Sequence, residues 1–154
     1  MRLIRKGAEP KSLCEVRTDK LTNLATVESA RNAFNQNDKG ALRARLLAEQ
    51  GHLCAFCMRR IWDDPDTRVA HLVPVKHAPN LALTWANLLA SCKGTFGPGS
   101  TCDVAQENTR LSLDPTHALS IAKLKYETRA GHDGALFITS VSYTHLRAHE
   151  TVLD

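Results

Sequence analysis

The spacing of the cysteines constrains the fold of this chain more than any other feature. Four of its five cysteines form two groups: the tight pair Cys54-Ala-Phe-Cys57, and then Cys92 and Cys102, which nine residues separate. A C-x-x-C turn supplies two thiolates from one loop, and zinc prefers four tetrahedral thiolate or imidazole ligands. The glycine-rich segment KGTFGPGST is able to close the wider second spacing. The pattern therefore predicts a structural zinc ion held by four thiolates, with no open coordination position for catalysis.

Two other interpretations of these cysteines stay open. The four thiols can be unrelated buried side chains, because free cysteine packs as a small hydrophobe. A redox-active C-x-x-C is less favoured, because no βαβ pattern surrounds the pair. Cys14 lies outside both groups and is interpreted as an ordinary thiol.

The composition is that of a globular chain without a membrane anchor. Of 154 residues, 43% are hydrophobic and 23% are charged, and no apolar run approaches the roughly 18 residues of a membrane helix. The start, MRLIRKGAEP, lacks the apolar core of a signal peptide, so we expect a cytoplasmic protein with reduced cysteines and no membrane partner. The net charge of +4 permits a polyanionic partner such as DNA but does not require one.

Sequence patterns predict an α+β chain. Helical spacing of apolar residues predicts one helix within LTNLATVESARNAFNQND and a second in KGALRARLLAEQ, which Asn37 or Asp38 caps and Gly51 ends. Pro10 argues against a helix in residues 1–20. The segment RVAHLVPV is typical of a strand that Pro74 limits, and KHAPNLAL is typical of a loop.

Later segments are less regular. TWANLLASC is interpreted as a helix with Thr84 as its N-cap. Residues 121–126 and the segment ALFIT predict a β-hairpin around the turn-like GHDG, with a helix over residues 118–126 as the competing interpretation.

The C-terminal segment does not resemble natural protein sequence. VSYTHLRAHET, which starts at Val141, is similar to the in-frame translation of a transposase-type sequencing adapter. We therefore expect that residues 141–154 are derived from an adapter and that the native chain continues differently after Ser140. On this reasoning His145 and His149 are not candidate ligands.

Motifs in the middle of the chain resemble one known nuclease family. The segments LLAEQGHLCAFC, VAHLVPVKHAPNLALTWANLLASCKG and TCDVAQENTRLSLDP resemble, in order and spacing, the retron- and Septu-associated HNH endonucleases. The resemblance implies N-terminal helices in residues 1–51, an HNH core of the ββα-metal type stapled by zinc in residues 52–115, and a C-terminal hairpin in residues 116–140.

The resemblance also implies roles for three residues. His71 would be the general base, Asn87 would hydrogen-bond across the loop to fix His71, and Asp103 would bind a catalytic divalent cation, Mg²⁺ or Mn²⁺. Without the resemblance, His71 would be interpreted as a packed half-buried histidine, Asn87 as a helix cap and Asp103 as a solvated loop acid.

The partners follow from the same resemblance. DNA would be the substrate, and an ATPase would be the partner in a prokaryotic anti-phage system. Five basic residues near the motif are candidates for phosphate contacts, although each alone is more typical of a solvated surface: Arg59, Arg60, Arg68, Lys76 and Lys93.

Two positions depart from the family pattern. Ala70 stands where an acidic metal ligand usually precedes the histidine, and Gln106 stands where a lysine is expected. Either Asp64 or Asp66 would supply the missing carboxylate to the catalytic metal ion, or Asp103 and the substrate phosphates would be sufficient to bind it. His77 is interpreted as a loop histidine. The alternative function is a catalytically degenerate zinc module that binds nucleic acid or protein, and a purely structural zinc protein is a third possibility.

Overall fold

The computed structural model describes residues 1–95, 100–128 and 136–140, of which 125–128 and 136–140 are described by their backbone alone. The predicted adapter tail and the GHDG turn lie outside these ranges, and those two predictions stay untested. Within the described residues, no helix combines the length and the apolar character that a membrane span requires.

Three helices form the N-terminal part. Helix α1 (Lys11–Thr18) begins directly after Pro10, so the prediction of no helix here was wrong, because proline is tolerated where a helix starts. Helix α2 (Val27–Asn35) begins with a capping box between Thr26 and Ser29. Helix α3 (Lys39–Gln50) is capped by the Asp38 carboxylate, as predicted, and ends at Gly51 in the left-handed conformation at φ 61°.

The two central strands are antiparallel. Strand β1 (Arg68–His71) pairs with β2 (Leu88–Ser91), so that Ala70 lies opposite Leu89 and His71 opposite Leu88. The helix predicted for TWANLLASC is wrong: a 3₁₀ turn at Trp85–Asn87 leads directly into β2. A short apolar run fits a buried strand as well as a helix, and here all four strand residues are buried.

The remaining elements complete the α+β fold. A second 3₁₀ turn (Pro79–Leu81) lies inside the predicted loop, and helix α4 (Cys102–Gln106) follows β2, which gives the order β1, β2, α4 expected of a ββα core. After the short helix α5 (Ala118–Ile121), strands β3 (Leu124–Thr128) and β4 (Leu136–Ser140) pair antiparallel. The preferred hairpin is confirmed, and the competing helix is present only as α5.

A buried glutamine joins α3 to the outer edge of β2. Gln50 is 1% exposed. Its side-chain Nε2 donates to the carbonyls of Leu53 (2.8 Å) and Ala90 (2.9 Å), and its Oε1 accepts the amide of Ala90 at 2.8 Å. Because the open edge of a strand otherwise leaves polar groups unpaired, Gln50 replaces a neighbouring strand at this point.

One hydrophobic core serves both the N-terminal helices and the strands. It includes Leu13, Leu42 and Leu46 from the helices together with Leu88 and Leu89 from β2. Lys6 and Glu49 form an ion pair of 2.9 Å under the Trp85 ring, whose Nε1 donates to Glu49 at 3.0 Å. The segment before residue 52 therefore packs on the predicted HNH core, and the division at residue 51 stays a prediction.

Candidate metal centre and active site

The four cysteines predicted from their spacing come together at one buried centre. Their Sγ atoms all lie within 4.8 Å of one another. Three of the Sγ–Sγ distances are 3.8 Å for Cys54 and Cys102, 3.8 Å for Cys57 and Cys92, and 3.5 Å for Cys92 and Cys102. A tetrahedral ion with Zn–S bonds of about 2.3 Å has sulfur–sulfur edges of about 3.8 Å, so this donor set fits zinc.

Backbone hydrogen bonds near each cysteine pair help to bring the thiols together. In the first, the amide of Cys54 donates to Arg59 O at 2.8 Å, and Met58 N donates to Cys54 O at 3.1 Å, with Met58 at φ 63°. In the second, Thr101 N donates to Gly94 O at 2.8 Å. A Cβ on Gly94 would lie 2.2 Å from Thr101 O, so only glycine permits this closure. The wide spacing between Cys92 and Cys102 is therefore closed by glycine, as the sequence indicated.

The thiols alter one another's acidity. Hydrogen bonding from the Cys102 thiol lowers the pKa of Cys54 most, and the Cys57 and Cys92 thiols add to the shift. The amide of Cys92 also points at the Cys54 sulfur, at 3.4 Å. The pKa of Cys57 is lowered as well, whereas the neighbouring thiols raise the pKa values of Cys92 and Cys102. Thiolate is the form of cysteine that binds metal, so binding of a metal ion would displace the remaining protons.

His71 ends β1, and only one of its ring nitrogens has a hydrogen-bond partner within the described residues. Its Nε2 lies 3.1 Å from Ala82 O. Because a carbonyl only accepts, Nε2 carries the proton in this contact, and Nδ1 of the neutral ring is left as a proton acceptor. Burial lowers the pKa of His71, and the positive charge of Lys39 lowers it further, against the effect of the Ala82 contact. The ring is thus kept neutral, as a base requires.

Asn87 ties the loop after His71 to the start of β2. Its Oδ1 accepts the Val73 amide at 2.8 Å, and its Nδ2 donates to the carbonyls of Val73 and Leu81, both at 3.1 Å. These bonds occupy both backbone groups of Val73, which explains why β1 ends at His71 instead of continuing to Pro74 as predicted. Asn87 is 5% exposed, so it acts from inside the loop rather than on a substrate.

His71 and Asp103 line one open cavity of about 320 Å³. Asp103 is the second residue of α4, and burial raises the pKa of its carboxyl, although Arg68 at 3.9 Å opposes the shift. Gln106, at the end of α4, donates from Nε2 to the carbonyls of His71 and Leu72, both at 3.1 Å. Helix α4 is therefore bonded directly to the end of β1 beside His71.

The structure partly explains why position 70 carries alanine instead of the acidic residue of the family pattern. Neighbouring side chains on a strand face opposite sides, and Val69 and His71 line the cavity while Ala70 is 1% exposed in the core. Neither loop acid supplies a replacement within the described contacts: Asp66 pairs with Lys93 at 2.7 Å, and the Asp64 carboxylate accepts the amides of Asp66 and Thr67.

The other residues singled out in the sequence lie on the surface. His77 is an exposed loop residue, as predicted, with its Nε2 2.5 Å from Asn108 O. Arg60 lies over the Trp62 ring at 5.6 Å, and Lys76 is exposed. Arg59 is also exposed, so the five candidate phosphate contacts are not gathered in the lining of the cavity.

Sequence reasoning missed three residues of this region. Gln50 looked like an ordinary polar residue at the end of a helix, and Gln106 only like a departure from a family pattern. Arg31 on α2 lies in the cavity wall, far in sequence from the HNH motifs. Only the helical spacing of Arg31 and Phe34 indicated that these two residues share a face.

Comparison with known proteins gives two relatives. Over 83 residues the chain is 31% identical to the Septu protein PtuB of Bacillus thuringiensis, a stretch that is 53% of this chain and 32% of that protein. Over 84 residues it is 31% identical to a Vibrio cholerae serotype O1 biovar El Tor protein named "Retron Vc95 putative HNH endonuclease", which covers 53% of this chain and 40% of the relative. The chain is similar to HNH proteins of the retron and Septu type.

The similarity to HNH proteins confirms the resemblance inferred from the motifs. The chain spans less than half the length of these two relatives. No family model matches the chain, and no solved structure matches it.

Proposed function

We propose that this chain is a metal-dependent HNH DNA endonuclease that hydrolyses phosphodiester bonds. It would act in the cytoplasm as the effector of a prokaryotic anti-phage system of the retron or Septu type, with an ATPase partner. The names of the two relatives support the nuclease class and the defence setting. The active site would lie in residues 52–115, with zinc as a structural ion and Mg²⁺ or Mn²⁺ as the catalytic one.

One observation carries this proposal: His71 lines an open cavity, its Nε2 is bonded to Ala82 O, and no hydrogen bond of its Nδ1 is found in the described part of the chain. A histidine that is merely packed has no need of an open cavity beside its ring. Because burial lowers the pKa of His71, this arrangement would provide a neutral base at the wall of the cavity at physiological pH.

His71, Asn87 and Gln106 would have different roles in the reaction. His71 takes a proton from a water molecule, which attacks the phosphorus atom as the bond to the 3′ oxygen breaks. Gln106 holds the carbonyls of His71 and Leu72, and Asn87 holds Val73 in the loop that follows. Misplacing a base by even about 1 Å is costly for catalysis. A divalent cation would neutralise charge on the phosphate and on the leaving oxygen.

Asp103 is the residue that we propose to hold that cation. A carboxylate oxygen suits Mg²⁺, which keeps several water ligands and is held in many sites by one or two carboxylates plus substrate phosphates. Asp103 and Glu107 are the two carboxylates in the described lining of the cavity beside His71, which is compatible with such a site. The thiolate centre is chemically distinct from it.

A second candidate function is a degenerate zinc module that binds nucleic acid or protein without cutting. It is favoured by one observation: the four cysteines are the one group of three or more metal-ligating side chains in the described part of the chain, and Ala70 adds no carboxylate beside His71. In this case the cavity would bind a phosphate group but would not hydrolyse it.

Cleavage of supercoiled plasmid with Mg²⁺ or Mn²⁺ distinguishes the two functions. The wild-type zinc-loaded chain should cut, His71→Ala should lose at least a hundredfold in rate, and His77→Ala should match wild type. His77 is a suitable control because it is also a histidine whose Nε2 contacts a backbone carbonyl. If wild type and His71→Ala are equally inert but bind DNA, the degenerate module is the correct function.

A further inference from the structure

The cavity beside His71 has a wall that does not belong to the HNH core. Helix α2, from the N-terminal helical part, contributes Arg31, Phe34 and Asn35 to its lining, which also includes Asp103 and Glu107. Residues three and four apart share one face of a helix, which accounts for the common direction of these three side chains.

Helix α2 is fixed relative to His71. The Phe34 ring meets the His71 ring edge-on, with 4.6 Å between the ring centroids. The ammonium group of Lys39 lies over the same Phe34 ring, and Asn37 Nδ2 donates to Ala33 O at 3.1 Å and to Phe34 O at 3.2 Å. Arg31, one turn before Phe34, is therefore presented from a helix that is held in place beside the histidine.

Arg31 is the one lysine or arginine among the described residues that line this cavity. It is exposed, and none of the ion pairs found in the described part of the chain involves it. Arg68, by contrast, lies 3.9 Å from the Asp103 carboxylate, and Lys93 is paired with Asp66. Arg31 is thus a cation at the cavity without an acidic partner among these pairs.

We propose that Arg31 binds a backbone phosphate of DNA at the entrance to the His71 cavity. This inference rests on the proposed endonuclease function, which it extends by making the N-terminal helices part of the substrate-binding surface. A guanidinium group offers paired N–H donors that match phosphate oxygens, and it stays charged at all physiological pH values.

The acidic residues of the cavity explain why a cation is needed at the position of Arg31. Asp103 and Glu107 are both acidic and line the same space, so an incoming phosphate group meets repulsion from that wall. Arg31, which lines the same cavity, offsets this repulsion and draws the phosphate toward the His71 ring. Removing it should weaken the binding of every DNA sequence, because a phosphate contact carries no base information.

The test compares Arg31→Ala and Arg31→Lys with Arg5→Ala. Arg5 is a matched control because it is exposed, carries the same charge and is absent from the cavity lining. The first measurement is kcat/KM for cleavage of a fluorescent DNA duplex with Mg²⁺. Arg31→Ala should lose roughly tenfold or more, mainly through KM, Arg31→Lys should recover part of the loss, and Arg5→Ala should resemble wild type.

The second measurement is the affinity of the His71→Ala protein for the same duplex over a range of salt concentrations. Adding Arg31→Ala should reduce the slope of log K against log salt by about one, which is the contribution of one phosphate contact, while melting temperature and zinc content stay unchanged. A merely structural role would change the melting temperature and leave the slope as it was.

The two hypotheses fail in different ways. If wild type does not cut DNA, the proposed function is overturned, and the salt slope still decides whether Arg31 contacts phosphate. If wild type cuts but Arg31→Ala and Arg5→Ala have the same kcat/KM and the same slope, the inference about Arg31 is overturned while the endonuclease function stands.

Discussion

Replacing Asn87 tests how the loop beside His71 is held. Asn87→Ala removes three side-chain hydrogen bonds, to Val73 N, Val73 O and Leu81 O, from a residue that is 5% exposed. Each such bond contributes about 1 kcal/mol net, and buried groups left unpaired cost more than groups that reach water. We therefore expect the free energy of unfolding to fall by about 2–4 kcal/mol, or a melting temperature lower by roughly 5–15 °C for a domain of this size.

The isosteric variant Asn87→Asp separates the hydrogen bonds from the shape of the side chain. Its carboxylate still accepts the Val73 amide, but it directs negative charge at two carbonyl oxygens that Asn87 now satisfies as a donor. At neutral pH it should be at least as unstable as Asn87→Ala. Urea denaturation of the zinc-loaded proteins, followed by circular dichroism, measures both.

The cleavage rate supplies the functional part of the Asn87 test. Both variants should cut DNA more slowly than wild type even at temperatures where they are fully folded, because His71 is no longer held by its loop. A stability loss below about 1 kcal/mol would contradict the hydrogen-bond argument. Full cleavage activity in a destabilised variant would refute the positioning role of Asn87.

Four further predictions concern the metal centre, the base His71, the edge of β2 and the buried position of Ala70. Cys57→Ser or removal of metal by a chelator should abolish stoichiometric zinc binding and lower the melting temperature strongly, whereas Cys14→Ser should keep the full zinc content measured by atomic absorption. The cleavage rate should be full at pH 7 and should fall at lower pH, with a midpoint below the ordinary histidine pKa of 6.5, because burial lowers the pKa of His71. Lys39→Met should raise this midpoint in the pH–rate profile, because the positive charge of Lys39 also lowers the pKa of His71. Gln50→Leu should lower the free energy of unfolding by about 2 kcal/mol in urea denaturation, because the buried Ala90 amide loses its Gln50 bond while the Ala90 carbonyl keeps the bond from Ala55 N. Ala70→Glu should lower the melting temperature without divalent cations, because it buries a carboxylate in the core, and recovery on adding Mg²⁺ would instead show that this carboxylate reaches a metal ion.

Local signals in the sequence were sufficient for the elements with clear boundaries. Asp38 and Gly51 mark the two ends of α3 because a carboxylate cap and a left-handed glycine are properties of a few adjacent residues. The cysteine spacing likewise predicted the four-thiol centre, because two turns determine where the sulfur atoms lie. Order and spacing of motifs also predicted the similarity to HNH proteins.

The errors and omissions arise where distant residues decide the structure. The segment after Thr84 has a cap-like start and apolar residues, but Leu88 and Leu89 are buried in a strand because β1 lies on one side and Gln50 on the other. No short-range pattern indicates that a glutamine at the end of a helix will complete the edge of a sheet. Arg31 is a comparable case, because its place in the cavity depends on how α2 packs against His71.

The rate of DNA cleavage by His71→Ala, measured beside wild type at equal zinc content and with added Mg²⁺ or Mn²⁺, tests the central claim most directly. The geometry of His71 predicts that wild type cuts, leaving 3′-hydroxyl and 5′-phosphate ends, and that the variant remains folded but loses at least a hundredfold in rate. Equal cleavage by the two proteins would contradict the assignment of His71 as the base. No cleavage by either protein would contradict the endonuclease function.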